Sequence, residues 1–249
     1  PTEKVCPDHS APFTAFADAY FGRATVDEAF GEEPASMHVW EASRGFGGKS
    51  FMLALLAYVE NVFLAAGCAV LGGSGEQSKR VTAYHETFWS HTRHPLNLLL
   101  GVAGGIRTRL RNGGRSLCLL ASQRSVRGVH EPRLKLDEVD EIPLKVFDAA
   151  LGQTMIQRGV SPVTVMSSTH QNANGTFTEV LNRAGKNGWR VHRWCYRESV
   201  GAGHLTWRRN ARGRWEVDYA HETAGWLSLA EIERKRNEFT EAMWDTDYE

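Results

Sequence analysis

The sequence predicts an α/β fold in which helices flank a mainly parallel central sheet. The first observation is a glycine-rich loop, residues 43–50, which follows an apolar run at residues 37–40 and precedes an almost wholly apolar segment at residues 51–66. A strand, a glycine loop and a buried helix in this order are typical of the start of a parallel α/β unit. Further apolar runs, glycine turns and helical segments then alternate, which indicates crossover helices between parallel strands. The third observation is an apolar run at residues 134–136 that is followed directly by two acidic residues.

The loop itself reads Ser43-Arg44-Gly45-Phe46-Gly47-Gly48-Lys49-Ser50. Its glycines let successive backbone N–H groups point inward, and the N-terminus of the following helix adds positive potential at the same place. Lys49 is placed to reach the β- and γ-phosphates of a nucleotide, and the Ser50 hydroxyl is placed to bind Mg²⁺. The full pattern has a glycine where this chain has Ser43, but the strand before the loop and the helix after it support the assignment. We therefore expect a nucleotide-binding loop.

The two acidic residues after the run at 134–136 complete a site for nucleotide hydrolysis. An aspartate at the end of such a strand, here Asp137, holds Mg²⁺ through water, and an adjacent glutamate, here Glu138, can take a proton from the attacking water. Taken alone, the acidic run that includes Asp140 and Glu141 fits a solvated helix start equally well. Its pairing with the glycine loop favours the hydrolysis site. Lys135 within the run predicts that one face of this strand is not fully buried.

The charge balance and the cysteines exclude several classes of protein. The 249 residues carry 29 Lys and Arg against 29 Asp and Glu, so any contact with nucleic acid must come from a local patch. The four cysteines are widely scattered and form no Cys-x-x-Cys pair, which argues against a zinc ribbon and against a disulfide scaffold. The apolar segment at 51–66 is too short to span a bilayer and contains Glu60. We expect a soluble, intracellular protein without a membrane partner.

Apolar periodicity, glycine turns and one capping box predict the remaining elements. Helices are expected at residues 12–21, 76–89, 142–157 and 228–244, strands at 69–71, 116–121, 163–166 and 190–197, and a hairpin at 205–208 and 214–219. We expect residues 1–198 to form the nucleotide-binding core, with residues 1–36 packed near the base of the nucleotide, and residues 199–249 to form a small α+β lid.

A basic section contains Arg107, Arg109 and Arg111 and is the densest cationic run of the chain. Because the net charge is zero, this section is our candidate contact for DNA. A solvated surface face is the alternative for the same residues.

With these motifs in place, the chain resembles the ATPase domain of the large terminase subunit, the DNA-packaging motor of tailed double-stranded DNA bacteriophages. The most specific similarity runs from residues 112–116 through Ser125-Val126-Arg127-Gly128 into the acidic strand. The resemblance implies a P-loop NTPase fold of the ASCE type, with ATP and Mg²⁺ as cofactors. It also implies that hydrolysis drives double-stranded DNA into a procapsid. A helicase-like ATPase and a nucleotide-binding switch with little turnover are the alternatives.

The resemblance also assigns roles to individual residues. Lys49 and Ser50 match the nucleotide and Mg²⁺ ligands, Asp137 matches the metal-binding acid, and Glu138 matches the catalytic glutamate. Arg127 matches an arginine finger offered to the ATP of a neighbouring subunit.

Other family features match less closely. The segment Ser167-Ser168-Thr169-His170 matches the motif that couples hydrolysis to movement. Arg44 lies one residue further from Lys49 than the corresponding arginine of these loops, so its role stays open. Phe13 and Phe16 are weak candidates for the adenine pocket.

The resemblance also implies partners and a location. It implies a homo-oligomeric ring around double-stranded DNA, a portal protein and a small terminase subunit as partners, and the procapsid portal in the cytoplasm of the infected host as the site of action. The family joins this domain to a nuclease. This chain stops before the acidic residues that a nuclease would need, so we expect ATP hydrolysis without DNA cleavage.

Overall fold

The structure is a computed structural model that describes residues 2–22, 35–91, 93, 95–104, 106–119, 122, 126–200, 202–222 and 225–248. Its strands are β1 Met37–Ala42, β2 Gly67–Gly72, β3 Arg107–Arg109, β4 Arg115–Leu119, β5 Arg133–Asp137, β6 Val163–Ser168, β7 Arg190–Trp194, β8 Ala202–Arg209 and β9 Trp215–Glu222. Its α-helices are α1 Pro12–Phe21, α2 Lys49–Phe63, α3 Gly75–Ser90, α4 Leu144–Leu151, α5 Thr176–Asn187, α6 Tyr196–Val200, α7 Leu229–Glu238 and α8 Glu241–Asp247. Short 3-10 helices cover Leu96–Leu98 and Val139–Glu141.

The central sheet has the strand order β3-β4-β2-β5-β6-β1-β7. Every neighbouring pair is parallel except β3 and β4, so the predicted mainly parallel sheet is confirmed. Strand β6 lies between β1, which leads into the glycine loop, and β5, which ends in the acidic residues. This additional strand defines the ASCE type of P-loop NTPase, and the expected fold class is therefore confirmed. The carboxyl ends of β1, β5 and β6 meet at one edge of the sheet, where ligands bind in α/β folds.

Successive residues of β1 face opposite sides of the sheet and belong to two separate hydrophobic cores. Val39 packs with residues of α4 and α5 on one side, including Phe147 and Phe177. Trp40 packs with residues of α1, α2 and α3 on the other side, including Met52. This alternation follows from the two-residue period of a strand, and a sheet covered on both faces explains why its strands are so apolar. Among the described residues, no helix combines the length and the apolar character needed to cross a membrane.

The prediction that Lys135 marks a partly open face of its strand is wrong. Lys135 in β5 is completely buried, and its Nζ lies 2.8 Å from Oε2 of Glu60 in α2, which is also completely buried. A second contact joins Nζ to Oε1 of Glu60 at 3.0 Å. A charge can enter an apolar core when an opposite charge accompanies it. The sequence pattern does not show which residue supplies that partner.

Replacing Glu60 with leucine is expected to lower the free energy of unfolding by about 3–5 kcal/mol, because Lys135 would be left as an uncompensated buried charge. Urea unfolding followed by circular dichroism measures the change. The matched control is Glu76→Leu, since Glu76 forms an exposed ion pair with Lys79 at 2.7 Å, and solvent screens such pairs so that they contribute little to stability. Equal destabilisation by the two variants would show that the buried pair has no special role.

Two predicted elements are shorter than expected. The helix expected at 142–157 covers only α4, because the chain first forms the 3-10 turn at Val139–Glu141 and leaves the helix at Gly152. The strand expected at 190–197 ends at Trp194, and α6 follows. The last two residues of the strand expected at 116–121 lie outside the described residues, as do Ser125 of the family motif and residues 23–34 in the N-terminal segment.

The C-terminal part confirms the expected hairpin but not the single long helix. Strands β8 and β9 pair in antiparallel fashion, and Ser228 caps α7 by accepting a hydrogen bond from the N–H of Glu231. The helix expected at 228–244 is broken, because Thr240 acts as a second N-cap and starts α8. Both helices pack on the hairpin in a third hydrophobic core that includes Trp244 and Tyr248. The division of the chain at residue 198 stays a prediction.

Candidate nucleotide-binding site

Two glycines shape the loop between β1 and α2. Gly48 has a φ of 65°, the left-handed region that glycine adopts without cost, and it precedes the first residue of α2. A Cβ on Gly48 would lie 2.7 Å from Cζ2 of Trp226, and a Cβ on Gly47 would lie 2.8 Å from the carbonyl oxygen of Ser43. Because Gly48 offers no side-chain cap, the first N–H groups of α2 are left to bind an anion at the loop.

Two tryptophans and the last helix support this loop from behind. The Trp194 indole N–H donates to the carbonyl oxygen of Gly47 at 2.8 Å, and that of Trp226 donates to the carbonyl oxygen of Phe46 at 3.2 Å. The Ser43 hydroxyl donates to the carbonyl oxygen of Tyr248 at 3.0 Å. Sequence analysis did not find these contacts. No local signal marks them, since their partners are distant along the chain.

Lys49 is buried at the mouth of the loop. Its Nζ donates to the carbonyl oxygens of Ala42 at 2.9 Å and Ser43 at 3.1 Å, and to Oγ1 of Thr169 at 2.9 Å. Burial lowers the pKa of Lys49, while the nearby carboxylates of Glu138 and Asp137 counteract the shift. The ammonium group is thus held between the end of β1 and the residue that follows β6, beside the two acids.

Asp137 accepts hydrogen bonds from two serines. Ser50 Oγ donates to Asp137 Oδ2 at 2.6 Å, and Ser167 Oγ donates to Oδ1 at 2.8 Å. Burial raises the pKa of Asp137, although both hydroxyl groups and Lys49 act in the opposite direction. The structure therefore brings together Ser50 and Asp137, the two residues predicted to share Mg²⁺, at the edge where β5 and β6 end.

Glu138 adopts a backbone conformation that is uncommon for a residue with a side chain. Its φ is 51°, in the left-handed region, and non-glycine residues held there are concentrated at functional sites. Burial raises the pKa of Glu138, Lys49 lowers it and Asp137 raises it. A carboxylate with a raised pKa suits a general base that works near neutral pH.

A cavity of about 640 Å³ lies between the glycine loop, Glu138 and α3. The predicted site residues on its wall are Ser43, Arg44, Gly45, Gly48, Lys49, Ser50 and Glu138. Helix α3 supplies a further wall that includes Gln77, Arg80, Tyr84 and Thr87. The sequence predicted a helix at residues 76–89 but not its role in this site, because nothing in the sequence shows that α3 borders the loop.

The four predicted coupling residues divide between this site and its surroundings. Ser167 and Thr169 bind Asp137 and Lys49 as described above. Ser168 Oγ accepts a hydrogen bond at 3.2 Å from the N–H of Asp140, two residues after the acidic pair. His170 is exposed, and its Nε2 lies 2.9 Å from Oγ1 of Thr178 in α5.

Other candidate residues lie away from the cavity. Arg127 is exposed and lines a shallow depression beside α4 with Lys145 and Asp148. Phe13 packs edge-on against Trp226, with ring centroids 6.1 Å apart, so the N-terminal segment approaches the back of the loop. The proposed adenine role of Phe13 and Phe16 stays a prediction.

The candidate DNA contacts lie at the far edge of the sheet. Arg107 and Arg109 are exposed on the edge strand β3, with the buried Thr108 between them, and Arg111 is exposed just after it.

The donor groups fit the cofactor that the fold implies. Ser50 offers a hydroxyl oxygen and Asp137 and Glu138 offer carboxylate oxygens, the hard ligands that Mg²⁺ takes up together with phosphate oxygens. The close approach of other atoms to Gly47 and Gly48 excludes larger side chains from the loop that would surround those phosphates.

Comparison with solved structures finds the same fold in phage proteins. The HK97 bacteriophage large terminase superposes with a TM-score of 0.56 at 15% identity, over 77% of this chain and 40% of that one. A large terminase from a thermophilic bacteriophage, in complex with ATP-gamma-S, gives 0.60 at 11% identity over 96% and 51% of the two chains. The ATPase domain of the Thermus phage P74-26 large terminase gives 0.53 at 13% identity over 93% and 95%.

These comparisons define how far the likeness extends. This chain spans about half the length of the two whole large terminases and nearly all of the separate ATPase domain. No model of a known protein family matches the sequence, and no curated protein does. The likeness is therefore one of structure, and it confirms the resemblance seen in the sequence at that level: the chain has the fold of the ATPase domain of phage large terminases.

Proposed function

We propose that this chain is a large terminase ATPase domain that binds ATP with Mg²⁺ and hydrolyses it. The observation that carries the proposal is the convergence of Lys49, Ser50 and Glu138 on one cavity at the carboxyl edge of the sheet, where Ser50 also donates a hydrogen bond to Asp137 at 2.6 Å. The fold shared with a large terminase that binds ATP-gamma-S supports ATP as the ligand.

Each residue has a distinct task in this proposal. The uncapped N–H groups at the start of α2 and the Lys49 ammonium bind the phosphates, and Lys49 exchanges its present carbonyl partners for phosphate oxygens. Ser50 and Asp137 hold Mg²⁺, which neutralises charge on the β- and γ-phosphates when bound. Glu138 orients the attacking water and accepts its proton.

Hydrogen bonds at the end of β6 connect this site to the rest of the sheet. Ser167 contacts the metal-binding acid and Thr169 contacts the phosphate-binding lysine. A change in either partner during hydrolysis would alter the end of β6 and the segment that leads to α5. We propose this segment, residues 167–170, as the element that couples hydrolysis to movement.

ATP turnover of the chain, measured at rising protein concentration with and without double-stranded DNA, tests the proposed activity. We expect slow ATP turnover. The rate per subunit should rise as subunits associate and should change when double-stranded DNA is added. Single-stranded RNA that stimulates better than double-stranded DNA would favour a helicase-like ATPase. Tight ATP binding without turnover under any of these conditions would favour a nucleotide switch.

The motor role rests on the same fold. We propose that the chain works in a homo-oligomeric ring at the procapsid portal, in the cytoplasm of an infected bacterium, with a portal protein and a small terminase subunit as partners. Its cargo in this role is double-stranded DNA, moved by the ATPase without cleavage by this chain.

Changing Arg107, Arg109 and Arg111 to glutamate is expected to weaken binding to double-stranded DNA and to flatten its dependence on salt, because fewer phosphate contacts release fewer counterions. A filter-binding titration at several salt concentrations measures both effects. The matched control changes Arg208, Arg212 and Arg214 of the C-terminal hairpin, which are also exposed. If the variant at residues 107, 109 and 111 has the same salt dependence as the unchanged protein, the arginines of β3 and its end only protect the sheet edge.

A further inference from the structure

Four potential metal ligands meet at a place that the ATPase mechanism does not use. Cys6 and His9 come from the N-terminal segment, and Cys195 and Glu198 come from the end of β7 and from α6. One ligand atom from each residue lies within 4.8 Å of all the others. Each pair is spaced by two residues, Cys-x-x-His and Cys-x-x-Glu, which brings two side chains of one turn to the same side. Short spacings of this kind are typical of structural zinc sites.

The distances agree with tetrahedral coordination. Two thiolates bound to zinc at about 2.3 Å subtend the tetrahedral angle with their sulfur atoms about 3.8 Å apart. The sulfur atoms of Cys6 and Cys195 are 3.9 Å apart. A nitrogen and an oxygen bound at about 2.0–2.1 Å lie about 3.3 Å apart, and Nδ1 of His9 is 3.1 Å from both carboxylate oxygens of Glu198.

The surroundings of the cluster fix its ligands in place. Oε1 of Glu198 accepts the N–H of Cys6 at 2.8 Å, and Oε2 accepts the N–H of Cys195 at 2.9 Å. The N–H of Arg197 donates to Sγ of Cys195 at 3.4 Å, a contact that stabilises a thiolate. Such outer contacts orient metal ligands and are part of most metal sites. Glu198 and Cys195 are buried, whereas Cys6 and His9 remain partly exposed, so an ion has a way in.

A second cluster of titratable groups, Asp18, His38 and His192, does not share these properties. All three residues are buried, and three of the four imidazole nitrogens have hydrogen-bond partners, while Nδ1 of His38 lies 3.5 Å from Oδ2 of Asp18. His192 Nε2 lies 2.8 Å from Asp18 and Nδ1 lies 3.1 Å from Ser10 Oγ, while Nε2 of His38 lies 3.0 Å from the carbonyl oxygen of Ala35. This cluster is a hydrogen-bonded network that joins α1 to the sheet.

We propose that Cys6, His9, Cys195 and Glu198 bind a structural zinc ion. Two thiolates, an imidazole and a carboxylate form a donor set that suits zinc better than Mg²⁺ or Ca²⁺, which prefer oxygen ligands alone. The ion fastens the N-terminal segment to the start of the C-terminal part of the chain. It also stabilises the end of β7, where Trp194 holds the carbonyl oxygen of Gly47 in the nucleotide loop.

Metal analysis of the full 249-residue chain tests this proposal. Purified under reducing conditions from zinc-supplemented medium, the protein should retain one zinc ion per chain after dialysis. Replacement of zinc by cobalt should give the visible bands of a tetrahedral cobalt ion and charge-transfer absorption from two thiolates. His9→Ala removes a partly exposed ligand and should lose most of the bound zinc while the chain stays folded. Cys118→Ser removes a cysteine from outside the cluster and should retain the zinc.

Several results would overturn the proposal. The first is a protein that shows neither bound zinc nor tetrahedral cobalt bands. The second is a zinc content in His9→Ala equal to that in Cys118→Ser. The third is a Cys6–Cys195 disulfide in the protein isolated under reducing conditions. None of them depends on ATP hydrolysis, so the zinc site and the proposed ATPase activity can fail independently. Thermal unfolding with 1,10-phenanthroline adds a second readout, because removal of the ion should lower the melting temperature of the unchanged protein and not that of His9→Ala.

Discussion

Glu138→Gln is expected to leave ATP binding intact and to slow hydrolysis by a factor on the order of 10²–10⁴, since the amide is nearly isosteric but cannot accept a proton from water. Single-turnover hydrolysis and equilibrium binding of an ATP analogue measure the two effects separately. Burial raises the pKa of Glu138, so a protonated, inactive form accumulates as the pH falls through that raised value. Hydrolysis by the unchanged protein should therefore decline towards acidic pH.

The neighbouring acids provide matched controls for Glu138. Asp140 accepts hydrogen bonds from the N–H groups of Asn172 at 2.9 Å and Phe177 at 3.1 Å, so it holds the start of α5. Glu141 lines the same cavity and accepts a hydrogen bond from Gln77 at 3.1 Å. Asp140→Asn is expected to affect stability more than chemistry. A larger loss of hydrolysis in Glu141→Gln than in Glu138→Gln would assign the general base to Glu141.

Arg127→Ala is expected to reduce kcat by a factor on the order of 10³–10⁵, the value of an arginine finger in related phosphoryl transfer. Arg127 is exposed beside α4 and lies outside the wall of the nucleotide cavity, so we expect it to act on the ATP of a neighbouring subunit. Steady-state turnover at a concentration that favours assembly measures the loss. Arg44 and Arg80 line the cavity itself and are the alternative sources of positive charge.

Mixing inactive variants separates action in trans from action within one subunit. An equimolar mixture of Arg127→Ala and Glu138→Gln should regain turnover, because some interfaces then combine an intact arginine with an intact glutamate. A mixture no more active than its two components would contradict a finger in trans. If Arg80→Ala or Arg44→Ala then caused the larger loss, the cavity arginine concerned would supply the charge.

The features whose position in the fold was predicted from the sequence are the local ones. The order of strand, glycine loop and helix places Lys49 and Ser50, because the phosphate loop is a short, continuous segment with a strong backbone requirement. The acidic pair after an apolar strand places Asp137 at the same edge, since the carboxyl ends of parallel strands meet there. The roles assigned to these residues stay predictions until activity is measured.

The parts that sequence analysis missed depend on contacts between distant segments. Glu60, which lies on a different element, compensates the buried charge of Lys135. Trp194 and Trp226 support the loop from positions more than a hundred residues away. Thr240 is a local signal for the break between α7 and α8, because it caps the start of α8. It was missed because the apolar pattern continues across the break. The proposed zinc ligands were missed for the same reason, because the Cys6-x-x-His9 pair indicates a metal site only when Cys195 and Glu198 are seen to lie beside it.

Equilibrium binding of a fluorescent ATP analogue, with Mg²⁺, to the unchanged protein and to Lys49→Ala tests directly whether this loop binds the nucleotide. Binding should be lost in Lys49→Ala, because backbone N–H groups alone cannot offset the phosphate charges that the ammonium neutralises. Lys79→Ala is the control, since Lys79 is exposed on α3 and does not line the cavity, and it should bind like the unchanged protein. Equal affinity of a folded Lys49→Ala variant would show that the nucleotide binds somewhere other than this loop.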